Sequence, residues 1–228
     1  MLGGLVSNIV PEVTNPQVKL IALKGVLNLL RFCIKNFKID TERRLLLAHI
    51  IASCSFPHME VRVKAMQCLV EISREFYDYL TEHIEDIGKV TFTAMRLDES
   101  DVALQALEVW SSLCDEEISK RENALEYKGF IKTAAPGLVN VLLENLSKKT
   151  ESDDDDWNIC VASGCCLNLV SQIVGDQITN TVIAYTSQNI ISEDWKLRDG
   201  AIFAFGSILE GIPKDNVNTL VDLLFFYL

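Results

Sequence analysis

Apolar residues recur at helical spacing along most of the chain, and short turns containing Pro, Asn, Asp or Gly separate the apolar segments. Apolar positions that return every three or four residues are typical of helices that bury one face. The predicted helices cover residues 1–10, 18–37, 42–53, 60–77, 82–97, 101–115, 133–146, 157–173, 177–191, 194–209 and 214–228. Residues 116–129 are polar and poorly periodic, so they are predicted to form an irregular connection or a short helical piece.

Every second predicted helix carries the same signature, which is an aliphatic residue followed four positions later by a small one. The pairs are Val18/Ala22, Val61/Ala65, Val102/Ala106, Ile159/Ser163 and Leu197/Ala201. They recur at spacings of 43, 41, 57 and 38 residues, and a period of about 40 with two helices per unit is typical of HEAT or armadillo repeats. The fold class predicted is all-α: a HEAT-repeat α-solenoid, a right-handed superhelix of about five and a half antiparallel helix pairs. We expect one domain over residues 1–228.

The one long spacing contains an acidic insertion at residues 148–157. Four consecutive aspartates, Asp153, Asp154, Asp155 and Asp156, repel one another and must face water. Trp157 follows them directly and opens the next helix. Two interpretations are open: the run is a solvated loop that keeps the protein soluble, or it is a binding surface. The other two tryptophans, Trp110 and Trp195, lie at inward helix positions and are predicted to be core residues.

Charge and motif content restrict the possible functions. The formal net charge is −11, which argues against nucleic acid as a partner, because phosphate binding needs clustered Lys and Arg. It favours basic partners. No unbroken apolar run reaches about 18 residues, so no membrane span is predicted. No basic segment precedes an apolar one at the start, so no secretory signal is predicted.

The chain begins and ends on single helices, which is unlike the polar terminal repeats of a complete solenoid. We therefore expect a piece of a longer protein.

Neither a metal site nor a cofactor site is predicted. The seven cysteines are scattered through apolar helical patterns, as reduced cysteines are in a cytosolic or nuclear protein. His49, Cys54 and His58 come nearest to a zinc-ligand cluster, but they lack the paired, close spacing of such sites. No phosphate-binding glycine loop, nucleophile elbow or HExxH motif occurs. We expect no catalytic residues, no cofactor and no enzyme activity.

Four stretches together resemble one family, the importin-beta (karyopherin-beta) nuclear transport receptors. They are residues 60–72, residues 101–117, the aspartate run with Trp157 and Asn158, and the segment from Asp194-Trp195 to Gly211. The resemblance runs essentially from end to end, and it is most specific at the aspartate run and at the helix of Trp110. It implies an internal part of a solenoid of about nineteen repeats, with cytoplasmic and nuclear localisation and shuttling through the nuclear pore.

The resemblance implies three binding surfaces, the third of which lies on acidic inner helices whose candidate residues are Asp101, Asp115, Glu116 and Glu117. Pockets between neighbouring first helices, on the convex side, would take phenylalanines of FG-repeat nucleoporins. The positions in this sequence that match such a pocket are Leu2, Val6, Glu42, Leu45 and Leu46. One of the two adjacent leucines is expected to be core instead, because a helix between neighbours buries most of its apolar stripe.

The second implied surface is acidic and lies on the inner side. There Asp153, Asp154, Asp155, Asp156 and Trp157 would contact Ran-GTP and importin-alpha or basic cargo signals. An aspartate cluster attracts basic partners, and Trp157 would stack on a cationic side chain. The alternative to the receptor interpretation is another HEAT-repeat interaction scaffold, of the phosphatase-scaffold or assembly-factor type, in which the acidic run only confers solubility.

Overall fold

The computed structural model describes residues 2–148 and 157–212, and all regular structure in these two ranges is helical. The helices are α1 Leu2–Val6, α2 Pro16–Leu29, α3 Ile34–Lys38, α4 Asp40–Ser53, α5 Met59–Glu75, α6 Ile84–Leu97, α7 Ser100–Glu122, α8 Phe130–Asn145, α9 Ile159–Val174, α10 Thr179–Asn189 and α11 Trp195–Ile208. The helix predicted over residues 214–228 lies outside the described residues. The prediction of an all-α repeat fold is confirmed.

The chain divides into two compact units, residues 1–113 and 114–228. In the first unit α1 packs on α2, α4 packs on α5, and α2 packs on α5 of the following repeat. In the second unit α8 packs on α9, α10 packs on α11, and α9 packs on α11. Within each unit, neighbouring helix pairs therefore cover each other's apolar faces, as in stacked repeats. One domain over residues 1–228 stays a prediction.

The predicted helix over residues 18–37 is wrong in one respect, because the chain turns near its middle. Asn15 caps α2, its side chain accepting hydrogen bonds from the backbone N–H groups of Gln17 and Val18. After Leu29 the chain tightens into a 3-10 turn and restarts as α3. The turn buries Phe37, whose ring stacks on Phe76 with centroids 3.7 Å apart. Burial of this aromatic pair favours the turn over a continuous helix.

The stretch predicted as an irregular connection or a short helical piece, residues 116–129, begins as the continuation of a helix. Helix α7 continues through Glu122, and the polar residue that weakened its pattern, Glu117, is buried. A Glu117 carboxylate oxygen accepts a hydrogen bond from the N–H of Ile131, 3.4 Å away, in the first turn of α8. The Glu117 side chain thus provides an acceptor for a backbone N–H in the first turn of α8 that has no acceptor within the helix. Hydrophobic periodicity does not reveal such a role.

The small residues of the repeat signature are buried as predicted: Ala22, Ala65, Ala106, Ser163 and Ala201. Two of the predicted inward residues are not. Val18 is 40% exposed in the first turn of α2. Trp195 is 39% exposed because it is the first residue of α11, one turn before the buried stripe begins at Gly200.

The cysteines behave as small core residues. All seven are free, and six are buried, Cys165 being the exposed one. Burial raises the pKa of the Cys68 thiol to about 12, and it raises the pKa of Cys54 further still. A thiol with so high a pKa is almost entirely protonated at neutral pH and is therefore unreactive.

One helical stretch, Ile159–Gln177, is long and apolar enough to cross a membrane by length and composition alone. Its mean hydropathy is high, although the sequence has no unbroken apolar run of that length. The core helix of a soluble protein passes the same test, and 44% of this stretch is buried, with α9 lying against α8 and α11. The stretch is accounted for as a packed helix of the second unit, and the absence of a membrane partner stays a prediction.

Gly211, in the turn after α11, lies close to the backbone of α9. A Cβ atom built on Gly211 would lie 2.2 Å from the backbone carbonyl oxygen of Ser171. We expect Gly211→Ala to lower the free energy of unfolding by about 2 kcal/mol, because one of two backbones must move. Gly206→Ala is the matched control, since its Cβ would meet nothing within 4 Å and alanine favours a helix by up to about 1 kcal/mol. Urea denaturation measures both variants, and equal stabilities would contradict the packing argument.

Candidate functional site

The predicted pocket residues divide into exposed and buried ones. On α4, Leu45 is 52% exposed, whereas Leu46 is buried, so Leu46 is the core member of the pair. Glu42 is exposed, and its carboxylate accepts a hydrogen bond of 2.6 Å from the side-chain amide of Asn36. Val6 on α1 is buried, and the side chain of Leu2 lies outside the described part of the chain. A binding role for these five residues stays a prediction.

An open cleft of about 730 Å³ lies one repeat further on, in the first unit. It runs from the turn between α4 and α5 along α6. It is lined by Cys54, Ser55, Phe56, Pro57, Arg62, Lys89, Val90, Thr93, Ala94, Leu97, Asp98 and Glu99. Leu97 is 83% exposed at the end of α6. The cleft therefore offers apolar surface to solvent between two repeats.

Arg62 closes one end of the cleft and joins the two repeats. Its Nε and Nη2 donate to the two carboxylate oxygens of Asp98 at 2.8 and 2.7 Å, and Nη2 also pairs with Glu99. Its Nη1 donates to the carbonyl oxygens of Phe56 and Pro57 at 2.9 and 3.0 Å. The turn before α5 and the turn after α6 are thus held by a single guanidinium, which fixes the shape of the cleft.

The same network shifts the ionisation of its members. Partial burial by itself raises the pKa of Asp98, but hydrogen bonds from Arg62 and from the backbone N–H of Glu99 outweigh it, so the pKa of Asp98 is lowered. The hydrogen bond to Asp98 raises the pKa of Arg62. The rim of the cleft therefore stays charged at neutral pH.

Two other helices that carry the repeat signature, α2 and α11, have a basic residue at the position of Arg62. Lys19 donates to the carbonyl oxygens of Ile9 and Val10, and Arg198 donates to those of Ser192 and Glu193. Each cation follows the aliphatic residue of the repeat signature by one position and binds the turn of its own repeat. Of these cations, Arg62 is also paired with the carboxylates of the next repeat.

The four aspartates of the acidic insertion, Asp153 to Asp156, lie outside the described residues. Trp157, which follows them, is 62% exposed. Asn158 caps α9, its side chain accepting a hydrogen bond of 3.0 Å from the N–H of Val161. The predicted stacking residue therefore presents its ring to solvent at a fixed helix start, and its role in binding stays a prediction.

The described side chains contain no group of three or more His, Cys, Asp or Glu that could hold a metal ion. Cys54 is buried, and His58 is exposed in the turn before α5.

Sequence reasoning placed the apolar pocket between α1 and α4, and it missed the cleft along α6. One signal was available: Leu97 is a large apolar residue directly before the turn Asp98-Glu99-Ser100, off the buried stripe that contains Ala94 and Met95. A single exposed leucine is common, however. The cleft becomes visible only when Phe56, from the previous repeat, is placed beside it.

The comparisons with curated proteins and with solved structures agree with each other. No family model matches the chain. Importin subunit beta-1 of Arabidopsis thaliana is 40% identical over 220 residues, which cover 91% of this chain and 25% of that protein. Importin subunit beta-1 of Schizosaccharomyces pombe is 35% identical over 237 residues, covering 98% of this chain and 27% of that protein. The chain spans about a quarter of the length of the curated relatives it matches.

Solved structures of Kap95p, the yeast importin-beta, have the same fold. A structure of Kap95p with RanGDP matches with a TM-score of 0.94 at 28% identity and covers 99% of this chain and 27% of that one. The complex of Kap95 with Nup1 matches with a TM-score of 0.93 at 28% identity and covers 98% and 27%. The repeat fold, the end-to-end sequence similarity and these structural matches lead to one conclusion: the chain belongs to the importin-beta family.

Proposed function

We propose that this chain is a segment of a nuclear transport receptor and that it binds FG-repeat nucleoporins at the cleft along α6. The observation that carries the proposal is the apolar surface that exposed Leu97 and half-buried Phe56 present between two neighbouring repeats. A structural relative, Kap95, was solved in complex with Nup1. A receptor needs such a surface on its first helices, whereas a scaffold of the alternative type has no need of it.

The cleft suits a phenylalanine side chain for physical reasons. Leu97, Val90 and Phe56 supply apolar contact, and burying an aromatic ring against such residues contributes about 1.5–3 kcal/mol. The flanking glycine of an FG motif lets the peptide backbone come close to the wall. Affinity per motif is then modest, and many motifs on one nucleoporin raise the overall affinity through effective concentration. The predicted pocket of Leu2, Val6, Glu42, Leu45 and Leu46 would be a second site of the same kind.

The acidic insertion is proposed to bind basic partners. Asp153 to Asp156 and Trp157 would contact a basic segment of importin-alpha or a basic cargo signal, and Ran-GTP would compete for the same side. Charge complementarity speeds such encounters and makes them sensitive to salt. Mutually exclusive binding of Ran-GTP and cargo is a negative coupling between two ligands, and it would release cargo where Ran-GTP is abundant. The receptor would accordingly shuttle between cytoplasm and nucleus without catalysing a reaction.

A fluorescent peptide with several Phe-Gly motifs tests the first proposal. We expect the 228-residue chain to bind it and Leu97→Asp to weaken binding at least about tenfold, since a carboxylate in the cleft loses the apolar contact and pays desolvation. Leu45→Asp reports on the second predicted pocket, and Leu46 is left unchanged because it is buried. Fluorescence anisotropy gives the dissociation constants.

Two controls make the outcome specific. Leu125→Asp replaces another exposed leucine that does not line the cleft, and it should bind like the unmutated chain. A peptide with alanine in place of phenylalanine should not bind. Circular dichroism verifies that each variant is folded. A folded, unmutated chain that fails to bind the peptide would contradict the proposal and favour the scaffold alternative.

A further inference from the structure

The turn from α2 into α3, in the first unit, presents a surface that is both apolar and basic. Residues 31–39 run from the end of the 3-10 turn through α3 to the residue before α4. Six side chains of this segment are exposed, and we call them the turn patch: Arg31, Phe32, Ile34, Lys35, Lys38 and Ile39. Three of them are large and apolar, three are basic, and none is acidic. They are neighbours because one tight turn and one short helix contain them all.

Core packing accounts for the buried side chains of this turn but not for the turn patch. Cys33 and Phe37 are buried, and the ring of Phe37 stacks on Phe76. The ring of Phe32, in contrast, is 78% exposed, so folding of this chain removes little of it from water. Single exposed apolar residues are common, whereas an exposed phenylalanine beside two exposed isoleucines is a contiguous apolar surface of the kind found at interaction sites.

The next repeat shows that the fold does not require this surface. The signature residues of the two repeats are 43 positions apart, and the next repeat also has a 3-10 turn after its second helix, Tyr77–Tyr79. At this spacing, positions 32, 35 and 39 correspond to Glu75, Asp78 and Glu82. Two apolar residues and one basic residue of the turn patch thus stand where the next repeat has carboxylates.

The lysines of the turn patch are available to a partner. The carboxylates close to the patch are already bonded to other side chains, in the pairs Arg31–Glu71, Arg43–Asp40, Arg44–Asp40 and Asn36–Glu42. Lys35 and Lys38 form no ion pair with any residue that the structure describes. The chain has a net charge of −11, yet residues 13–39 contain five basic residues and no acidic one. The turn patch is therefore a locally basic surface on an acidic protein.

We propose that the turn patch binds an acidic segment of a protein partner. An aromatic or aliphatic side chain of that segment packs on Phe32, and its carboxylates pair with Lys35 and Lys38. Burial of the apolar side chains supplies most of the affinity, because exposed ion pairs contribute little. The charges select the partner instead, since most of this acidic chain repels an acidic segment. The proposal is independent of the binding of FG repeats and of basic segments.

A fluorescein-labelled peptide, Glu-Asp-Glu-Leu-Phe-Asp-Glu-Asp, tests the turn patch by fluorescence anisotropy. We expect the 228-residue chain to bind it with a dissociation constant below about 1 mM. A peptide with Gln and Asn in place of the acids, and one with Ala in place of Leu and Phe, should each bind at least about fivefold more weakly. The first comparison measures the contribution of charge, and the second that of the apolar anchor.

Two variants place the residues of the next repeat in the turn patch. Phe32→Glu should weaken binding of the acidic peptide at least about tenfold, because the apolar contact is replaced by a like charge. Lys35→Asp should weaken it about fivefold, since an attraction becomes a repulsion. The turn should keep its backbone in both variants, because Glu75 and Asp78 occupy these positions in the next repeat. Circular dichroism verifies that each variant is folded.

Two controls make the site specific. Lys132→Asp makes the same change of charge as Lys35→Asp at an exposed lysine of α8, and it should leave the affinity nearly unchanged. An equal loss in both would mean that affinity follows net charge, which overturns the pairing with Lys35. If Leu97→Asp abolishes binding while Phe32→Glu does not, the peptide occupies the cleft along α6 and the turn patch is wrong. A folded, unmutated chain that binds the acidic peptide no better than its uncharged counterpart overturns the proposal.

Discussion

Arg62→Ala should lower the free energy of unfolding by about 3–4 kcal/mol, because it leaves a mostly buried carboxylate without its partner. Asp98 loses two hydrogen bonds at once, and the carbonyl oxygens of Phe56 and Pro57 lose theirs. The side chains of Arg62 and Asp98 are 13% and 16% exposed, so water replaces these contacts only in part. Urea denaturation followed by circular dichroism gives the difference.

Arg198→Ala is the control for Arg62→Ala. Arg198 occupies the equivalent position of a later repeat and donates to two turn carbonyls from an exposed position. Its loss should cost only about 1 kcal/mol. Equal effects for the two arginines would mean that the stabilisation comes from the hydrogen bonds that each arginine makes to the carbonyl oxygens of its own turn. The ion pair between Arg62 and Asp98 would then contribute nothing.

The pH dependence of Arg62→Ala follows from the lowered pKa of Asp98. A carboxyl whose pKa is lower in the folded protein than in the unfolded chain stabilises the fold fully above the unfolded value of about 3.9. That contribution is lost as the pH falls through the folded value. The difference in free energy of unfolding between the unmutated chain and Arg62→Ala should therefore be constant near neutral pH and should decrease below about pH 4.

Much of the fold could be predicted from the sequence because each repeat is a local unit. The spacing of pairs such as Val61/Ala65 and Val102/Ala106 reports which helices are second helices, and these residues are buried. Two features escaped because they depend on contacts with other segments. The break before α3 follows from the stacking of Phe37 on Phe76, and the continuation of α7 follows from the bond between Glu117 and Ile131.

Less of the candidate site could be predicted, since a cleft between repeats is made by residues about 40 positions apart. Phe56 and Leu97 carry no shared sequence signal, and only their juxtaposition makes a cleft. The prediction that Trp195 is a core residue is wrong, because periodicity does not distinguish the first residue of a helix from an interior one. Trp110, which lies within its helix, is fully buried as predicted.

Trp110→Ala should have the largest effect on stability in the first unit, about 4–5 kcal/mol. The Trp110 ring is 1% exposed and stacks near Phe92, with centroids 5.3 Å apart. Its Nε1 donates to the hydroxyl oxygen of Thr91 at 2.9 Å. Removing the side chain leaves a large cavity between α6 and α7 that the neighbouring residues fill only in part.

A double-mutant cycle separates the buried hydrogen bond of Trp110 from its packing. Thr91→Val alone should cost about 1–3 kcal/mol, because it leaves the indole N–H buried without an acceptor. In a Trp110→Phe background the same change should cost much less, since phenylalanine has no donor to leave unsatisfied. The coupling measured by urea denaturation is therefore expected to exceed about 0.5 kcal/mol. Strictly additive effects would show that the bond between Trp110 and Thr91 contributes nothing to the stability of the α6–α7 pair, and that the ring stabilises the pair by packing alone.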